Sequence, residues 1–125
     1  MKIAISANTT ELTSPVDARF GRCAYFLIVD LDDMQVTAVP NRAQEQNDGA
    51  GIQAARIVME NGATAVLTGH CGPNAYRTLN AAGIAVYTGV TGTAAEAMAQ
   101  FRDGKLSAST GPNALSHAGM PPATS

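Results

Sequence analysis

Aromatic and charged side chains are scarce in this 125-residue chain. It has no tryptophan, three tyrosines and three phenylalanines, too few for the stacking platforms that single-stranded nucleic acids need. Eight basic and ten acidic residues give a net charge of −2, which predicts no broad attraction to nucleic acid or to an anionic membrane. Hydrophobic residues make up 46% of the chain, so we expect a compact single domain rather than a disordered one.

Long apolar runs are also missing. No run approaches the roughly 18 residues that span a bilayer, and residues 1–5 start a strand pattern instead of a signal peptide. We therefore expect a cytoplasmic protein, in which Cys23 and Cys71 are reduced thiols rather than a disulfide. Neither cysteine belongs to a C-x-x-C pair, which excludes a ready-made zinc or ferredoxin-type site.

The common catalytic motifs are absent as well. The chain contains no G-x-G-x-x-G, Walker, H-E-x-x-H or G-x-S-x-G pattern. A nuclease with two metal ions needs a carboxylate cluster, but the first predicted strand has Ser6 and Asn8 where an acid would lie. The acids Asp30, Asp32 and Asp33 fall at a predicted hairpin turn, where solvated charge is ordinary. We therefore expect no nuclease activity.

The hydrophobic pattern predicts a strand over residues 2–7, a hairpin over residues 25–39, and then alternating helices and strands. A hairpin followed by right-handed crossovers gives one mixed five-stranded sheet with helices on its faces. The expected class is α/β, a three-layer ribonuclease-H-like domain over residues 1–108. Residues 109–125, rich in Gly, Pro, Ser and Ala, are expected to form a flexible tail.

The three predicted helices have recognisable signals. Ile52, Ala55 and Met59 share one face of the first helix, so we expect that face to be buried. Pro73 suits the first position of the second helix. Thr93 and Glu96 have the spacing of a capping box at the start of the third.

The strongest local signal is the segment 68–75, Thr-Gly-His-Cys-Gly-Pro-Asn-Ala, where a strand turns into a helix. Ligands of open α/β sheets gather beyond the carboxyl ends of strands, and Gly69 and Gly72 would let a ligand approach the backbone. The helix start favours an anion, and it should lower the pKa of Cys71. The other interpretation is a plain glycine turn with a small core cysteine.

A second candidate is the segment 17–23, Asp-Ala-Arg-Phe-Gly-Arg-Cys. Arg19 and Arg22 could offer forked donors to an anion, whereas the other interpretation, favoured by the segment alone, is an arginine pair that solvates a surface loop. The segment follows the first strand, which we expect to lie beside the strand ending at Thr68. Both loops would then open at one sheet edge, with Cys23 and Cys71 in reach of one ligand.

Two further glycine-containing turns are expected at this edge. Gly49 and Gly51 introduce the first helix, with Asp48 as its expected N-cap. The turn at residues 89–92 follows the last strand. Together the loops predict a rim of small and polar residues.

These segments, in this order, resemble the dinitrogenase iron–molybdenum cofactor biosynthesis family, and in particular its small stand-alone members. The resemblance extends from Met1 to about Leu106. The motifs that carry it are Met1–Ile5, Arg19–Arg22, Tyr25-Phe26, Gly49–Ile52, Gly69–Ala75, Ala82–Ile84 and Gly92-Thr93.

The resemblance implies a ribonuclease-H-like fold and a protein that binds or carries an anionic metal–sulfur cluster without catalysis. The cluster would be a molybdenum–copper sulfide or a related Mo/Fe–sulfur cluster, and any Cu(I) in it would favour thiolate. Arg19 replaces a histidine common in nitrogen-fixation members, which argues against nitrogenase assembly itself. The implied cluster-binding residues are Arg19, Phe20, Gly21, Arg22, Gly49, Gly51, Gly69, His70, Cys71, Gly72, Asn74 and Ala75. The candidate direct metal ligands are Cys71, His70 and Cys23.

Two other functions fit the same residues. The rim could bind a protein partner, such as a cytoplasmic complex that includes an ATPase, with any metal being adventitious. An enzyme using a Cys71 thiolate is a weaker hypothesis, because the only base pinned nearby is the adjacent His70. Nucleic acid and membrane are not expected partners.

Overall fold

A mixed five-stranded sheet forms the centre of the computed structural model, which describes residues 1–45 and 49–111. The strand order is β3-β2-β1-β4-β5, and β2 is antiparallel to both of its neighbours, whereas β1, β4 and β5 are parallel. This confirms the predicted α/β class, with a hairpin followed by crossovers. The ribonuclease-H-like name stays a prediction. The strands are β1 (Lys2–Ala7), β2 (Tyr25–Asp30), β3 (Gln35–Pro40), β4 (Ala65–Leu67) and β5 (Ala85–Tyr87).

The pairing of β1 with β4 determines which loops become neighbours. Ile3 lies opposite Ala65 and Ile5 opposite Leu67 in a parallel register. Because parallel strands end at the same edge of a sheet, the loop after β1 and the loop after β4 open side by side. The predicted adjacency of these two loops is confirmed.

Three α-helices cover the sheet: α1 (Ala50–Glu60), α2 (Pro73–Ala81) and α3 (Ala94–Arg102). A short 3-10 helix, Arg42–Glu45, precedes α1 and was not anticipated. Within the described ranges, no helix is long and apolar enough to cross a membrane.

The two faces of the sheet bury different side chains. The cluster on the face of α1 and α2 combines many alanines and both cysteines with five larger side chains, Phe20, Phe26, Ile28, Leu79 and Ile84. Beneath α3 the core is aliphatic, built on residues such as Ile5 and Leu27. This gives helices on both faces and hence the expected three layers.

The predicted face of α1 is buried at only one of its three residues. Ala55 is fully buried, as are Ala54 and Val58, whereas Met59 is 41% exposed and Ile52 is half-buried. Gly49, Gly51 and the three alanines of α1 begin and line this region, and small residues let α1 pack closely on its neighbours. The larger Ile52 and Met59 therefore lie along the outer seam between α1 and α2.

The acids at the hairpin have the expected surface role. Met34 has a positive φ of 60° in the turn, and the Asp32 carboxylate accepts a hydrogen bond from the Met1 amino group at 2.9 Å. Two other expectations, Asp48 as a helix cap and the conformation of residues 112–125, lie outside the described residues. The domain boundary at 108/109 stays a prediction.

Candidate functional site

The loops after β1 and β4 are joined by direct backbone contact. The Phe20 N–H donates to the His70 carbonyl at 3.1 Å, and the His70 N–H donates to the Ala18 carbonyl at 2.6 Å. A Cβ atom on Gly69 would lie only 2.7 Å from the Ala18 Cα. Gly69 is therefore required for loop packing, because the Ala18 backbone fills the space that the sequence offered to a ligand.

The start of α1 packs against both loops through very small residues. A Cβ on Gly21 would lie 3.2 Å from the Gly51 Cα, and a Cβ on Gly51 would lie 3.0 Å from the Ala75 Cβ. Segments that are distant in sequence thus meet with almost no side chain between them. This close approach brings the starts of α1 and α2 together.

A cleft of about 300 Å³ lies where these three segments meet. It contains eight of the twelve residues that we predicted to bind a cluster. The lining residues are Phe20, Gly21, Arg22, Gly49, Ala50, Gly51, Ile52, Gly72, Pro73, Asn74 and Ala75.

Two helix starts face the cleft, and neither has a side-chain cap among the residues that the structure describes. The N-cap of α1 is Gly49, in the left-handed region with φ 74°, and the N-cap of α2 is Gly72. Pro73 occupies the first turn of α2, as predicted. The first N–H groups of an α-helix have no carbonyl partner within the helix, and they carry the positive end of its dipole. Two such ends at one cleft favour a negatively charged ligand.

Among the described residues that line the cleft, Arg22 supplies the formal charge. One of its guanidinium nitrogens, Nη1, donates to the Gln44 carbonyl of the 3-10 helix at 2.8 Å. This bond orients the guanidinium, a planar group that carries five N–H donors.

Arg19 has a different environment, although it lies three residues from Arg22. Its backbone N–H and its Nε donate to Asp17 Oδ1 at 2.8 and 3.3 Å, and its Nη2 donates to Asp17 Oδ2 at 3.3 Å. These bonds to the buried carboxylate raise the pKa of the Arg19 guanidinium. Arg19 does not line the cleft, so the two arginines are not equivalent donors.

The two cysteines are core residues. Both side chains are fully buried beneath α1 and α2, and burial raises the pKa of Cys71 to about 12. Burial, and then the charge of Asp17, raise the pKa of Cys23 to about 12 as well. The prediction that the helix start lowers the Cys71 pKa is wrong, because desolvation of a thiolate outweighs the dipole.

His70 is exposed at the surface, and its backbone rather than its imidazole joins the two loops. In the part of the chain that the structure describes, no three His, Cys, Asp or Glu side chains are grouped to hold a metal ion. Direct ligation by Cys71, His70 or Cys23 stays a prediction. What the arrangement offers instead is a set of N–H donors and one guanidinium.

Sequence analysis assigned no binding or positioning role to some residues that shape the cleft. Ala50, Ile52 and Pro73 line it; they stood within the quoted motifs but not among the predicted binding residues. Asp17 and Asn41 were not recognised as organisers, although each follows a known pattern: its carboxylate or amide oxygen accepts the backbone N–H two residues later.

Comparison with solved structures supports the same architecture. The apo form of the orange protein from Desulfovibrio gigas is 40% identical, with a TM-score of 0.88 over 90% of this chain and 95% of that chain. A NifB-like protein from Thermotoga is 33% identical, with a TM-score of 0.76 over 86% of this chain and 91% of that chain. A dinitrogenase-like protein from Methanocaldococcus jannaschii, 23% identical, with a TM-score of 0.65 over 90% and 97% of the two chains, shares the fold.

Comparison with curated proteins gave no significant match. The family model described as dinitrogenase iron–molybdenum cofactor matches residues 1–104, which include every strand and helix named above. The chain therefore belongs to the dinitrogenase iron–molybdenum cofactor family, to which its sequence motifs pointed.

Proposed function

We propose that this protein is a non-catalytic carrier of an anionic metal–sulfur cluster, which it binds in the cleft between the starts of α1 and α2. A molybdenum–copper sulfide cluster is our first candidate, and a related Mo/Fe–sulfur cluster is the second. One observation carries the proposal: two helix starts without side-chain caps meet beside Arg22 in one cleft.

The chemistry of the cleft suits a soft, multiply charged anion. First-turn N–H groups of both helices and the Arg22 guanidinium supply donors from several directions. Phe20 and Ile52 supply apolar wall, which suits polarisable sulfide better than a strongly hydrated oxyanion. The cleft volume of about 300 Å³ leaves room for a small cluster.

We propose that the cluster is held without protein–metal bonds. Cys23 and Cys71 have pKa values of about 12, so each thiol would have to be desolvated and deprotonated against burial before it ligates a metal. Ligation by Cys71, Cys23 or His70 is the competing arrangement. It predicts that removing the Cys71 thiol releases the metal.

The relatives support this assignment at a coarser level. The family is described by the iron–molybdenum cofactor of dinitrogenase. The orange protein, similar over 95% of its length, was solved as an apo form, a term that implies a bound form of that protein. For this chain, the proposal of cluster binding depends on the geometry of its own cleft.

The test is reconstitution of the full chain. The protein is incubated anaerobically with tetrathiomolybdate and Cu(I), desalted, and analysed for metals and visible absorption. We expect stoichiometric Mo and Cu in the wild type and a roughly tenfold to hundredfold weaker retention in Arg22→Gln, as for loss of a charged hydrogen bond. Arg56→Gln, an exposed arginine of α1 outside the cleft, is the matched control and should retain the cluster.

Other outcomes separate the competing hypotheses. Equal retention by the wild type and Arg22→Gln would overturn the cleft assignment, and loss of metal in Cys71→Ala with normal folding would favour ligation by thiolate. A wild type that stays colourless and metal-free favours the alternative function, in which the rim binds a protein partner. A pull-down with and without metal then tests it, since a pure interaction module should bind its partner equally in both.

A further inference from the structure

The two edges of the sheet differ in what lies beside them. β5 forms one edge, where the Ser109 N–H donates to the Val86 carbonyl at 2.7 Å, so the chain itself occupies part of that edge. β3 forms the other edge, and among residues 1–45 and 49–111 it pairs with β2 alone. The outer side of an edge strand presents a row of N–H and C=O groups on which another strand can pair.

The register of β3 determines which backbone groups point outward. Asn41 follows the strand and donates its N–H to the Ala24 carbonyl at 2.9 Å, which continues the antiparallel register with β2. In such a pair, the N–H and C=O of alternate residues point to the same neighbour. Every second residue counted back from Asn41 therefore bonds to β2, whereas both groups of Val36 and of Ala38 point away from the sheet. Pro40 also points outward, but it has no N–H to donate.

The side chains of β3 present no charge that would oppose pairing. The strand reads Gln-Val-Thr-Ala-Val-Pro, and Gln35, Val36 and Thr37 are exposed. Natural edge strands commonly deter pairing with lysine or another charge, or with proline. The proline of this strand is its last residue, Pro40, where it leaves the outward donors of Val36 and Ala38 in place.

Opposite charges flank the two ends of β3. Asp32 and Asp33 precede the strand and Arg42 follows it, and all three are exposed. Asp32 already accepts a hydrogen bond from the Met1 amino group, so Asp33 is the acid available to a neighbouring chain. Two copies paired in parallel would bring like charges together, whereas antiparallel copies bring Asp33 of each beside Arg42 of the other. This charge complementarity favours a second copy of the chain as the occupant of the edge.

We propose that β3 pairs antiparallel with β3 of a second copy, which joins the two sheets into one continuous sheet. The two-fold axis passes Thr37, so that Val36 lies opposite Ala38 of the second copy. In this register both residues donate their outward N–H and accept at their outward carbonyl. Asp33 then lies opposite Asn41 of the second copy, one residue from Arg42.

The paired strands bury little surface, so we expect a weak dimer. β3 has six residues, fewer than the roughly 20–30 residues that each side of a stable interface contributes. Backbone hydrogen bonds would supply most of the attraction, with the exposed Val36 packed beside Ala38 of the second copy. We expect a dissociation constant of about 0.1–1 mM. The pairing involves none of the residues that line the cleft, and it does not depend on the cluster.

Sedimentation equilibrium of the full-length apo-protein, at concentrations up to about 1 mM, tests the pairing. We expect the mean mass of the wild type to rise toward that of a dimer. Asp33→Arg and Arg42→Asp each place like charges at both symmetric contacts, so each should dimerise roughly tenfold more weakly. Asp103→Arg, an exposed charge reversal after α3, is the matched control and should dimerise like the wild type. A wild type without dimer at the highest concentration would overturn the proposal.

Mixing the two single variants provides the sharpest control. In a mixed pair the two substituted positions face each other with opposite charges, and the native Arg42 of one copy faces the native Asp33 of the other. The mixture should therefore dimerise as well as the wild type, which also shows that both variants remain folded. A mixture that dimerises no better than its components would overturn the antiparallel arrangement.

Amide hydrogen exchange, followed by NMR on the wild type, locates the contact. Exchange at Val36 and Ala38 should slow as the protein concentration rises, whereas exchange at Thr91, in the exposed turn after β5, should not change. Unchanged exchange at Val36 and Ala38 in a protein that dimerises would place the interface elsewhere and overturn the proposal. Since no metal is added, failure here leaves the cluster proposal to its own test.

Discussion

The starts of α2 and α3 differ in how their first backbone N–H groups, which have no carbonyl partner within the helix, are satisfied. At α3, the Thr93 hydroxyl accepts the Glu96 N–H at 3.1 Å while the Glu96 carboxylate accepts the Thr93 N–H at 2.9 Å, the predicted capping box. At α2, the N-cap is Gly72, which has no side chain to offer. The start of α1 resembles that of α2, with Gly49 as its N-cap.

This difference correlates with position in the molecule. The capped start belongs to the helix on the aliphatic face, whereas the two starts without side-chain caps share the cleft with Arg22. A side-chain cap contributes only a few tenths of a kcal/mol more than a glycine N-cap, so omitting it at two neighbouring helices costs little stability and leaves the first-turn N–H groups for a ligand to stabilise. The comparison teaches that the protein keeps backbone donors available where we place the anion.

The largest expected effect comes from separating the two starts. Gly51→Leu inserts a side chain where a Cβ atom alone would approach the Ala75 Cβ to 3.0 Å. We expect the free energy of unfolding to fall by about 1–3 kcal/mol through overpacking, measured by urea denaturation. Gln53→Leu, an exposed position on the same helix, should change it by less than about 0.5 kcal/mol. Similar values for both variants would contradict the tight packing.

The second prediction concerns the thiol that precedes α2. Cys71 titrates near 9 when unfolded and near 12 when folded, so the unfolded state loses its proton first as the pH rises. Below pH 9 the thiol contributes its full stabilisation, and between about pH 9 and 12 the free energy of unfolding falls by about 1.4 kcal/mol per pH unit. Cys71→Ala should lack this part of the alkaline slope in urea titrations. Parallel slopes would instead indicate that the helix start stabilises a thiolate.

The third prediction removes the cap of α3. Thr93→Ala deletes the acceptor of the Glu96 N–H, and we expect a loss of about 1 kcal/mol in the free energy of unfolding. Metal retention after reconstitution should be unchanged, since this helix start is outside the cleft. A variant that loses its metal while it remains folded would show that the two kinds of helix start are not independent.

The last prediction concerns Gly72, where a substitution should change stability least but should abolish cluster retention. Gly72 has φ −71° and ψ 171°, which any residue adopts, and a Cβ there would have no neighbour within 4 Å. Gly72→Asp should cap α2 and raise the free energy of unfolding by a few tenths of a kcal/mol. Its carboxylate would also compete for the N–H groups and repel an anion, so cluster retention should be lost. Full retention in a stabilised variant would place the cluster elsewhere.

Most strands and helices could be predicted from the sequence, because the hydrophobic spacing and capping residues of each segment favour the structure that it adopts. The alternating residues of β1 and the Thr93–Glu96 spacing specify their structures almost alone. The orientation of α1 does not follow, since burial there is decided by how closely alanines and glycines can pack against α2. Helical periodicity grouped Ala55, which is buried, with Ile52 and Met59, which lie on the seam.

The site is predictable in its location but not in the roles of its residues. The expected strand order placed the loops after β1 and β4 at one edge of the sheet, and the sequence motifs contained most of the residues that line the cleft. The distinction between Arg19 and Arg22 depends on Asp17 and on Gln44 of an unanticipated 3-10 helix. The Cys71 pKa depends on burial, which a helix-start argument does not include.

The contact between Ala18 and Gly69 also limits how this chain can vary in length. Residues 8–11 lie exposed on the arm that leaves β1, so added residues there would extend outward without moving the sheet. Residues 18–20 are aligned with residue 70 by two backbone hydrogen bonds, so a single insertion among them would put every following group out of register. We therefore expect insertions to be tolerated at residues 8–11, whereas the number of residues between 18 and 20 should stay fixed.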